Sequence, residues 1–138
     1  IVMVVGGPNE RTDFHVNQGE EFFWQLEGKA KLKIINNEGK MLDIDLNAGD
    51  IYLLPSNTPH SPQRYENSIG LVIERKRRDG ELDGLQWYCE KCHSKLYEEF
   101  FVLTDIETQF PAVFERYYSS EHTLCKRCGH QNGRKWAQ

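Results

Sequence analysis

Two histidines and one glutamate have the residue types that a reactive metal ion requires: His15, Glu21 and His60. Two imidazoles and one carboxylate form the ligand set that non-haem Fe(II) oxygenases use. Three such donors on one face of an octahedral ion leave about three positions open for a substrate and dioxygen. The alternatives are a packing or surface role for each residue, and a barrel that binds a metal or a sugar without catalysis.

A second candidate metal site consists of two CxxC pairs, which the 32 residues 93–124 separate. The four cysteines are Cys89, Cys92, Cys125 and Cys128. Four thiolates at this spacing suit a closed tetrahedral site for Zn or a single Fe. No secretion signal is recognised, so a reducing compartment and a metal are favoured over one or two disulfides. His93 and His130 could replace a cysteine as ligands.

A zinc ribbon that binds nucleic acid is a weaker alternative for the four cysteines, because the basic cluster near them is small. Its members are Lys126, Arg127, Arg134 and Lys135. The whole chain of 138 residues has a formal net charge of −4, which gives no support to general binding of nucleic acid. We therefore expect no nucleic-acid partner.

The elements that must position the histidines and the glutamate are predicted to be β-strands over residues 1–80. The alternating runs KAKLKII and MLDIDL flank the turn 36–39, which predicts a hairpin. We expect His15 at the end of a strand, a turn over 16–20, and Glu21 at the start of the next strand. Many short strands at close spacing predict a sandwich or a barrel, so the expected fold class is all-β dominated.

Residues 81–138 have a different character, and we expect a C-terminal extension there that follows a barrel over 1–80. The extension contains a CxxC knuckle followed by a strand, and then a small helix that Asp105 could cap. Pro111 predicts a start or a kink in that helix.

The hydropathy of the chain and its first residues indicate where in the cell the protein is expected. No run of about 18 or more apolar residues is present, so we expect no membrane-spanning helix and a cytoplasmic protein. The chain opens with Ile1 inside a strand-like run, and we therefore expect further residues upstream of it.

Two stretches of the chain resemble the two cupin motifs: GPNERTDFHVNQGEEFFWQLEG over 7–28 and GDIYLLPSNTPHSPQR over 49–64. Asp13 stands where the general cupin pattern has the first histidine of His-x-His, and this replacement resembles the 3-hydroxyanthranilate 3,4-dioxygenases. The segments similar to that family are RTDFH, EEFFWQL, LLP, HSPQR, VIER and LDGLQWYC. The resemblance covers nearly the whole chain, including the CxxC pairs, but it does not extend to the family's usual N-terminal segment, which we expect upstream of Ile1.

The resemblance implies a cupin barrel, which is a double-stranded β-helix or jelly roll, with a small C-terminal helix and a rubredoxin-like four-cysteine region. It implies catalytic Fe(II) on His15, Glu21 and His60, and a second, structural Fe or Zn on the cysteines. Members of the family convert 3-hydroxyanthranilate and O2 to 2-amino-3-carboxymuconate semialdehyde. That product leads to quinolinate and NAD biosynthesis in the kynurenine pathway. The family also implies a homodimer.

By the same resemblance, four further residues serve the reaction. Arg64 is expected to bind the ring carboxylate with its guanidinium fork, and Glu74 to accept a hydrogen bond from the substrate. Arg11 is expected to stabilise negative charge where dioxygen binds, and Asp13 to orient the metal ligands. A solvated surface role for Arg11, and pairing of Glu74 with a nearby arginine, are the alternatives.

Two other functions compete with this one. The first is another cupin metal-dependent oxygenase or isomerase that uses the same three ligands. The second is a non-enzymatic, metal-stabilised binding module, which would bind no iron at the histidine–glutamate site and would consume no oxygen.

Overall fold

Ten β-strands dominate the computed structural model, which describes residues 1–134. In chain order the strands are β1 (Val2–Gly6), β2 (Asp13–Val16), β3 (Glu21–Glu27), β4 (Ala30–Ile35), β5 (Met41–Leu46), β6 (Ile51–Leu54), β7 (His60–Arg64), β8 (Ile69–Glu74), β9 (Asp83–Tyr88) and β10 (Lys95–Phe101). Helix α1 (Ile106–Tyr118) and a short 3-10 helix (Glu121–Thr123) follow the strands. These bounds confirm the all-β dominated class with a small C-terminal helix.

The strands form two antiparallel sheets that enclose a core. The four-stranded sheet has the order β1-β8-β3-β6, and the six-stranded sheet has the order β10-β9-β2-β7-β4-β5. Phe23, Leu54 and Val72 from the first sheet pack against Leu32 and Ile34 from the second. Burial of these side chains supplies the main apolar stabilisation of the barrel. The observed architecture confirms the cupin-type barrel.

The predicted local elements around the first motif and the hairpin are confirmed. His15 lies in β2 one residue before its end, and Glu21 is the first residue of β3. β4 and β5 pair across the turn 36–39, where the Gly39 amide donates to the Asn36 carbonyl at 2.9 Å. Gly39 has a φ of 76°, a left-handed conformation that favours glycine at this turn.

Strand β9 is an element that the sequence pattern did not predict. Leu85 and Trp87 alternate with Gly84 and Gln86, but the stretch is short, contains a glycine and lies directly before the first CxxC pair, so no strand was predicted for it. β9 pairs with β2 on one side and with β10 on the other. The six-stranded sheet therefore continues across residue 80, and the division into 1–80 and 81–138 stays a prediction.

A second apolar cluster joins α1 to β9. Phe114 and Tyr117 of the helix pack with Leu85 and Trp87 of the strand, and the Trp87 and Tyr117 rings stack at 4.3 Å between centroids. Phe110 belongs to the same cluster and also contacts the imidazole of His15, at 5.4 Å between ring centroids. The helix is therefore packed beside the histidine of the first motif.

The predicted cap of the helix is confirmed. The Asp105 carboxylate accepts a hydrogen bond from the Glu107 amide at 3.0 Å. The helix does not start at Pro111, which lies within it. A proline there removes only one intrahelical hydrogen bond, close to the first turn. Over residues 1–134 the structure contains no helix that is long and apolar enough to cross a membrane. Lys135, from the basic cluster above, lies outside the described residues.

Candidate active site

The structure brings His15, Glu21 and His60 together between the two sheets. Their ligand atoms all lie within 4.8 Å of one another, and the three side chains are buried. His15 and His60 are direct partners across β2 and β7, whereas Glu21 reaches them from β3 of the other sheet. Glu21 Oε1 lies 3.8 Å from His15 Nδ1, and Glu21 Oε2 lies 3.3 Å from His60 Nε2. Two imidazoles and a carboxylate at these separations fit a single metal ion.

A polar partner orients each of these side chains. His15 Nε2 donates to Asp83 Oδ2 at 2.6 Å, because an ionised carboxylate can only accept. His60 Nδ1 donates to the Thr58 carbonyl at 3.1 Å, and the Asn17 amide donates to Glu21 Oε1 at 3.3 Å. These bonds leave His15 Nδ1 and His60 Nε2 directed toward the glutamate. Hydrogen-bond partners of this kind fix the tautomer and the orientation of metal-binding histidines.

The glutamate and His60 stabilise each other's charge. Burial alone would raise the pKa of Glu21, but the charge and hydrogen bond of His60 outweigh it and lower this pKa to about 2. Burial alone would lower the pKa of His60, but Glu21 raises it above its ordinary value. Glu21 is therefore an ionised donor over the whole physiological range.

Arg11 and Asp13 form a two-pronged ion pair beside these ligands. Arg11 Nε donates to Asp13 Oδ1 at 3.0 Å, and Arg11 Nη2 donates to Oδ2 at 2.5 Å. Asp13 is buried at the start of β2, on the same face as His15 two residues on. Burial would lower the pKa of Arg11, but the Asp13 carboxylate raises it. The surface role considered for Arg11 does not describe this arrangement.

Arg64 lies at the end of β7 and lines a cavity of about 590 Å³ together with Arg11. The aromatic side of the cavity comes from α1, through Phe110 and Phe114. Phe110 also contacts the His15 imidazole, so the cavity is next to the three metal-ligand candidates. Within residues 1–134 the Arg64 guanidinium has no hydrogen-bond or ion-pair partner.

The environment of the Arg64 guanidinium disfavours its positive charge. Burial and the neighbouring Arg11 charge lower the pKa of Arg64 to about 10, against the opposing effect of Glu21. The side chain remains a cation near neutral pH. An unpaired, largely buried guanidinium fork next to an apolar wall is suited to a carboxylate on an aromatic ring.

Glu74 is the last residue of β8 and lies directly opposite Glu21 in the pairing of β8 with β3. It is buried, and its Oε2 accepts a hydrogen bond from Arg77 Nη1 at 3.0 Å. The pairing with a nearby arginine, which the sequence offered as an alternative, is therefore present. It leaves Oε1 of Glu74 without a recorded partner among the described residues, and a substrate role for Glu74 stays a prediction.

Sequence reasoning gave no role to Asp83 or Arg77, although both contact the site residues. A signal for Asp83 existed: Asp83, Leu85 and Trp87 share one face of β9, and the first is a carboxylate where the other two are fully buried apolar side chains. A buried carboxylate in such a row requires a polar or charged partner.

The four cysteines form the second predicted cluster, with their sulfur atoms within 4.8 Å of one another. Cys89 Sγ lies 3.6 Å from Cys128 Sγ, and Cys92 Sγ lies 3.6 Å from Cys125 Sγ. These separations are far beyond a disulfide bond, and the four thiols are free. The alternative of disulfides is therefore wrong for this structure, and four thiolates suit a closed tetrahedral metal site.

Hydrogen bonds to sulfur lower the pKa of Cys92 and Cys125 and so favour their thiolates, whereas burial and the neighbouring thiols raise the pKa of Cys128 to about 11. The amides of Lys91 and Cys92 donate to Cys89 Sγ at 3.4 Å each. Ser94 Oγ lies 3.1 Å from Cys92 Sγ and 3.3 Å from Cys125 Sγ. Hydrogen bonds from Ser94 and from the Cys128 backbone lower the pKa of Cys125 to about 6. A thiolate, not a thiol, is the form that binds a metal.

Several polar residues around the four cysteines bind other side chains and not the sulfur atoms. His130 lies 3.4 Å from the Glu90 carboxylate, Lys126 pairs with Glu121, and Arg134 donates to Glu115 at 3.0 Å. The Asn132 side chain donates to the Tyr88 carbonyl and accepts from the Glu90 amide. The cluster thus joins the C-terminal segment to the end of β9.

Comparison with known proteins gives one consistent family. A family model described as 3-hydroxyanthranilic acid dioxygenase matches residues 1–118. A 3-hydroxyanthranilate 3,4-dioxygenase of Xanthomonas euvesicatoria pv. vesicatoria is 56% identical over 131 residues, which cover 94% of this chain and 74% of the relative. The enzyme of that name from Lodderomyces elongisporus is 47% identical over 135 residues, covering 97% of this chain and 77% of the relative.

A solved structure gives a partial match. The TDP-quinovose 3,4-ketoisomerase WlaRB from Campylobacter jejuni matches 58% of this chain and 65% of its own chain, with a TM-score of 0.49 and 20% identity. This chain thus spans less than two thirds of that structure.

Proposed function

Because the chain belongs to the 3-hydroxyanthranilic acid dioxygenase family, we propose that it opens the ring of 3-hydroxyanthranilate with O2. Both oxygen atoms enter the product, 2-amino-3-carboxymuconate semialdehyde, which closes to quinolinate and feeds NAD biosynthesis. The observation that carries the proposal is the buried His15–Glu21–His60 cluster beside a cavity that holds the unpaired Arg64 guanidinium. The cluster fits a metal, and the guanidinium fits the ring carboxylate.

The identity of the catalytic metal is part of the proposal. His15 Nδ1, one oxygen of Glu21 and His60 Nε2 would hold Fe(II), since this ligand set is typical of non-haem iron oxygenases. The chemistry that a bound Fe(II) would supply is a lowered pKa for the substrate hydroxyl and a common site for the ring and dioxygen.

The protein's own residues would then position and shield the substrate. Arg64 would hold the carboxylate in two parallel hydrogen bonds, which fixes the ring in the cavity. Arg11 would present positive charge to the side where dioxygen binds, and its pairing with Asp13 would hold it there. Glu74 would accept a hydrogen bond from the polar groups of the ring, and Phe110 would exclude water beside His15.

Oxygen uptake tests this proposal. Iron-loaded protein in air is expected to consume O2 when 3-hydroxyanthranilate is added, with one O2 used for each substrate. A folded, iron-loaded sample that consumes no oxygen would contradict the proposal and favour the binding-module alternative. A panel of other aromatic and sugar substrates distinguishes another cupin oxygenase or isomerase.

Arg64→Ala tests the carboxylate contact. The variant is expected to raise KM for 3-hydroxyanthranilate on the order of 100-fold, since truncating one partner of a buried charge pair costs about 2–5 kcal/mol. 2-Aminophenol, which lacks the carboxylate, is the matched control substrate, and its KM is expected to change little. Equal losses with both substrates would show that Arg64 does not bind the carboxylate.

The four-cysteine cluster is proposed to hold a second Fe or Zn with a structural role. Its closed set of thiolates and its contact with the C-terminal segment support this role. Metal analysis and the visible spectrum of the pure protein distinguish the two ions, because Fe bound by four thiolates is coloured and Zn is not. Four free cysteines also support a reducing, cytoplasmic location.

A homodimer is proposed as the family resemblance implies. Two apolar rows cross the outer face of the four-stranded sheet and support it. The rows are Val2, Ile73, Phe22 and Leu53, and Val4, Leu71, Trp24 and Ile51, by the pairing register. Val4 is 73% exposed and Ile51 is 63% exposed at the two ends of one row, and contiguous exposed apolar side chains mark interaction surfaces. Light scattering of the protein in solution tests the dimer.

A further inference from the structure

A continuous chain of hydrogen bonds joins His15 to Glu74 through two residues to which the proposed function gives no role. His15 Nε2 donates to Asp83 Oδ2 at 2.6 Å. Arg77 donates to the same carboxylate, through Nε to Oδ1 at 2.5 Å and through Nη2 to Oδ2 at 2.7 Å. The remaining arm of Arg77, Nη1, donates to Glu74 Oε2 at 3.0 Å. One guanidinium therefore contacts both the carboxylate behind a metal-ligand candidate and the candidate substrate acceptor.

The side chains that make these contacts are largely buried. The side chain of Asp83 is 1% exposed, that of Glu74 is 4% exposed, and that of Arg77 is 14% exposed. Two carboxylates that are nearly removed from water require a counter-charge, and Arg77 supplies it to both. A guanidinium is planar and rigid, so its arms fix the two carboxylates in orientation as well as in charge.

The backbone explains how one residue reaches both carboxylates. Glu74 ends β8 and Asp83 begins β9, and Arg77 lies in the connection 75–82 between these strands. A separate ion pair holds that connection in shape, since Arg75 donates to both oxygens of Glu81 at 2.7 and 2.6 Å. The fold of the connection therefore does not rest on Arg77 alone.

We propose that Arg77 is a positioning residue that couples the metal ligand His15 to the substrate acceptor Glu74. It holds Asp83 against His15 Nε2, so that Nδ1 of the imidazole stays directed at the metal position. It also holds Glu74 Oε2, so that the other oxygen of this carboxylate remains free for the substrate. The part of the proposal that concerns His15 rests on the geometry alone. The part that concerns Glu74 rests on the proposed function.

The test compares Arg77→Lys with Arg75→Lys, the same substitution in the same connection. A lysine keeps the charge but, as a single ammonium group, it cannot hold two carboxylates with three directed bonds. Asp83→Asn removes the charge behind His15, and Glu74→Gln alters only the substrate side. Arg77→Gln is a second variant at the central position, for the case that Arg77→Lys does not fold.

Iron affinity is the first readout and does not depend on turnover. Nitric oxide binds Fe(II) only where a coordination position is open, so its paramagnetic adduct reports the histidine–glutamate site and not a closed four-thiolate site. Titration of anaerobic protein with Fe(II) gives the iron concentration at half-maximal signal. Arg77→Lys and Asp83→Asn are expected to raise it roughly 10-fold or more, as losing the partner of a metal-binding histidine usually does. Arg75→Lys and Glu74→Gln are expected to leave it unchanged.

The KM for 3-hydroxyanthranilate at saturating iron is the second readout. Glu74→Gln and Arg77→Lys are expected to raise it, whereas Asp83→Asn and Arg75→Lys are not. Only substitutions of Arg77 should move both quantities. The coupling is overturned if a variant of Arg77 changes neither the iron affinity nor the KM, or changes only one of them. It is also overturned if the variant lowers the melting temperature and leaves both quantities unchanged.

The two proposals fail differently. If the wild-type protein binds iron and nitric oxide but consumes no oxygen with 3-hydroxyanthranilate, the proposed function fails and the iron titration still tests the part that concerns His15. If the wild-type protein is active and Arg77→Lys matches Arg75→Lys in both readouts, the coupling fails and the proposed function stands.

Discussion

The two metal-ligand clusters of this molecule differ in how the chain builds them. The histidine–glutamate cluster draws one residue from each of β2, β3 and β7, so it exists only when both sheets have closed around it. The four-cysteine cluster draws on two local CxxC loops, and backbone amides already point at a sulfur within the first loop. The first cluster is a product of the whole barrel, whereas the second is assembled from two short segments.

The clusters also differ in what they leave open. Three donors leave coordination positions free on an octahedral ion, and Phe110, which lines the cavity with Arg64, contacts His15. Four thiolates satisfy a tetrahedral ion and leave none. The barrel cluster is therefore suited to chemistry, and the cysteine cluster to structure. This contrast predicts that substitutions in the barrel cluster mainly lower activity, and that substitutions in the cysteine cluster mainly lower stability.

Removal of a barrel ligand should have the largest effect on activity. His60→Ala deletes an imidazole whose Nε2 faces Glu21, and only two protein donors remain. Oxygen uptake is expected to fall by more than the roughly 100-fold that losing a hydrogen-bond partner of a metal ligand typically costs. The assay is oxygen consumption with 3-hydroxyanthranilate at saturating iron.

The metal content of the four-cysteine cluster is the internal control for His60→Ala. It should stay at the wild-type value, because no cysteine contributes to the barrel cluster. Retained oxygen uptake in a variant without the imidazole would show that His60 is not a ligand, and the contrast between the clusters would lose its basis.

Removal of a cysteine should have its main effect on stability. Cys92→Ser is expected to release the second metal and to lower the free energy of unfolding on the order of 4 kcal/mol, which is the stabilisation by a ligand at about 1,000 times its Kd. Chemical denaturation followed by fluorescence measures the loss. The activity per folded, iron-loaded molecule should fall less than in His60→Ala, and the opposite order would reverse the roles assigned to the two clusters.

Sequence reasoning recovered the parts of both clusters that short motifs determine. The CxxC spacing and the hairpin at 36–39 are local patterns, and the structure contains both as expected. The strand start at Glu21 followed from the two-residue period and the turn before it. Local chemistry and period are sufficient for elements of this kind.

The long-range contacts were beyond the reach of such patterns. Asp83 and His15 are 68 residues apart, and no local pattern in either segment predicts their contact. β9 has only six residues, and its second face carries Gly84, which weakens a strand prediction; its pairing with β2 and β10 is what places it in the sheet. A buried carboxylate can be recognised as unusual from sequence, but its partner depends on how the sheets close.

The smallest predicted effect concerns the charge of the barrel cluster in metal-free protein. Glu21 has a folded pKa of about 2, below its ordinary 4.5, so its stabilising effect is present above pH 4.5 and is lost as the pH falls toward 2. The shift corresponds to a stabilisation on the order of 3 kcal/mol, and it already includes the partner His60. Urea denaturation between pH 2 and pH 6 should show a steeper loss for wild type than for Glu21→Gln. Cys92→Ser should retain the wild-type slope, since no cysteine contacts Glu21, and equal slopes for wild type and Glu21→Gln would contradict the ionic pairing of Glu21 with His60.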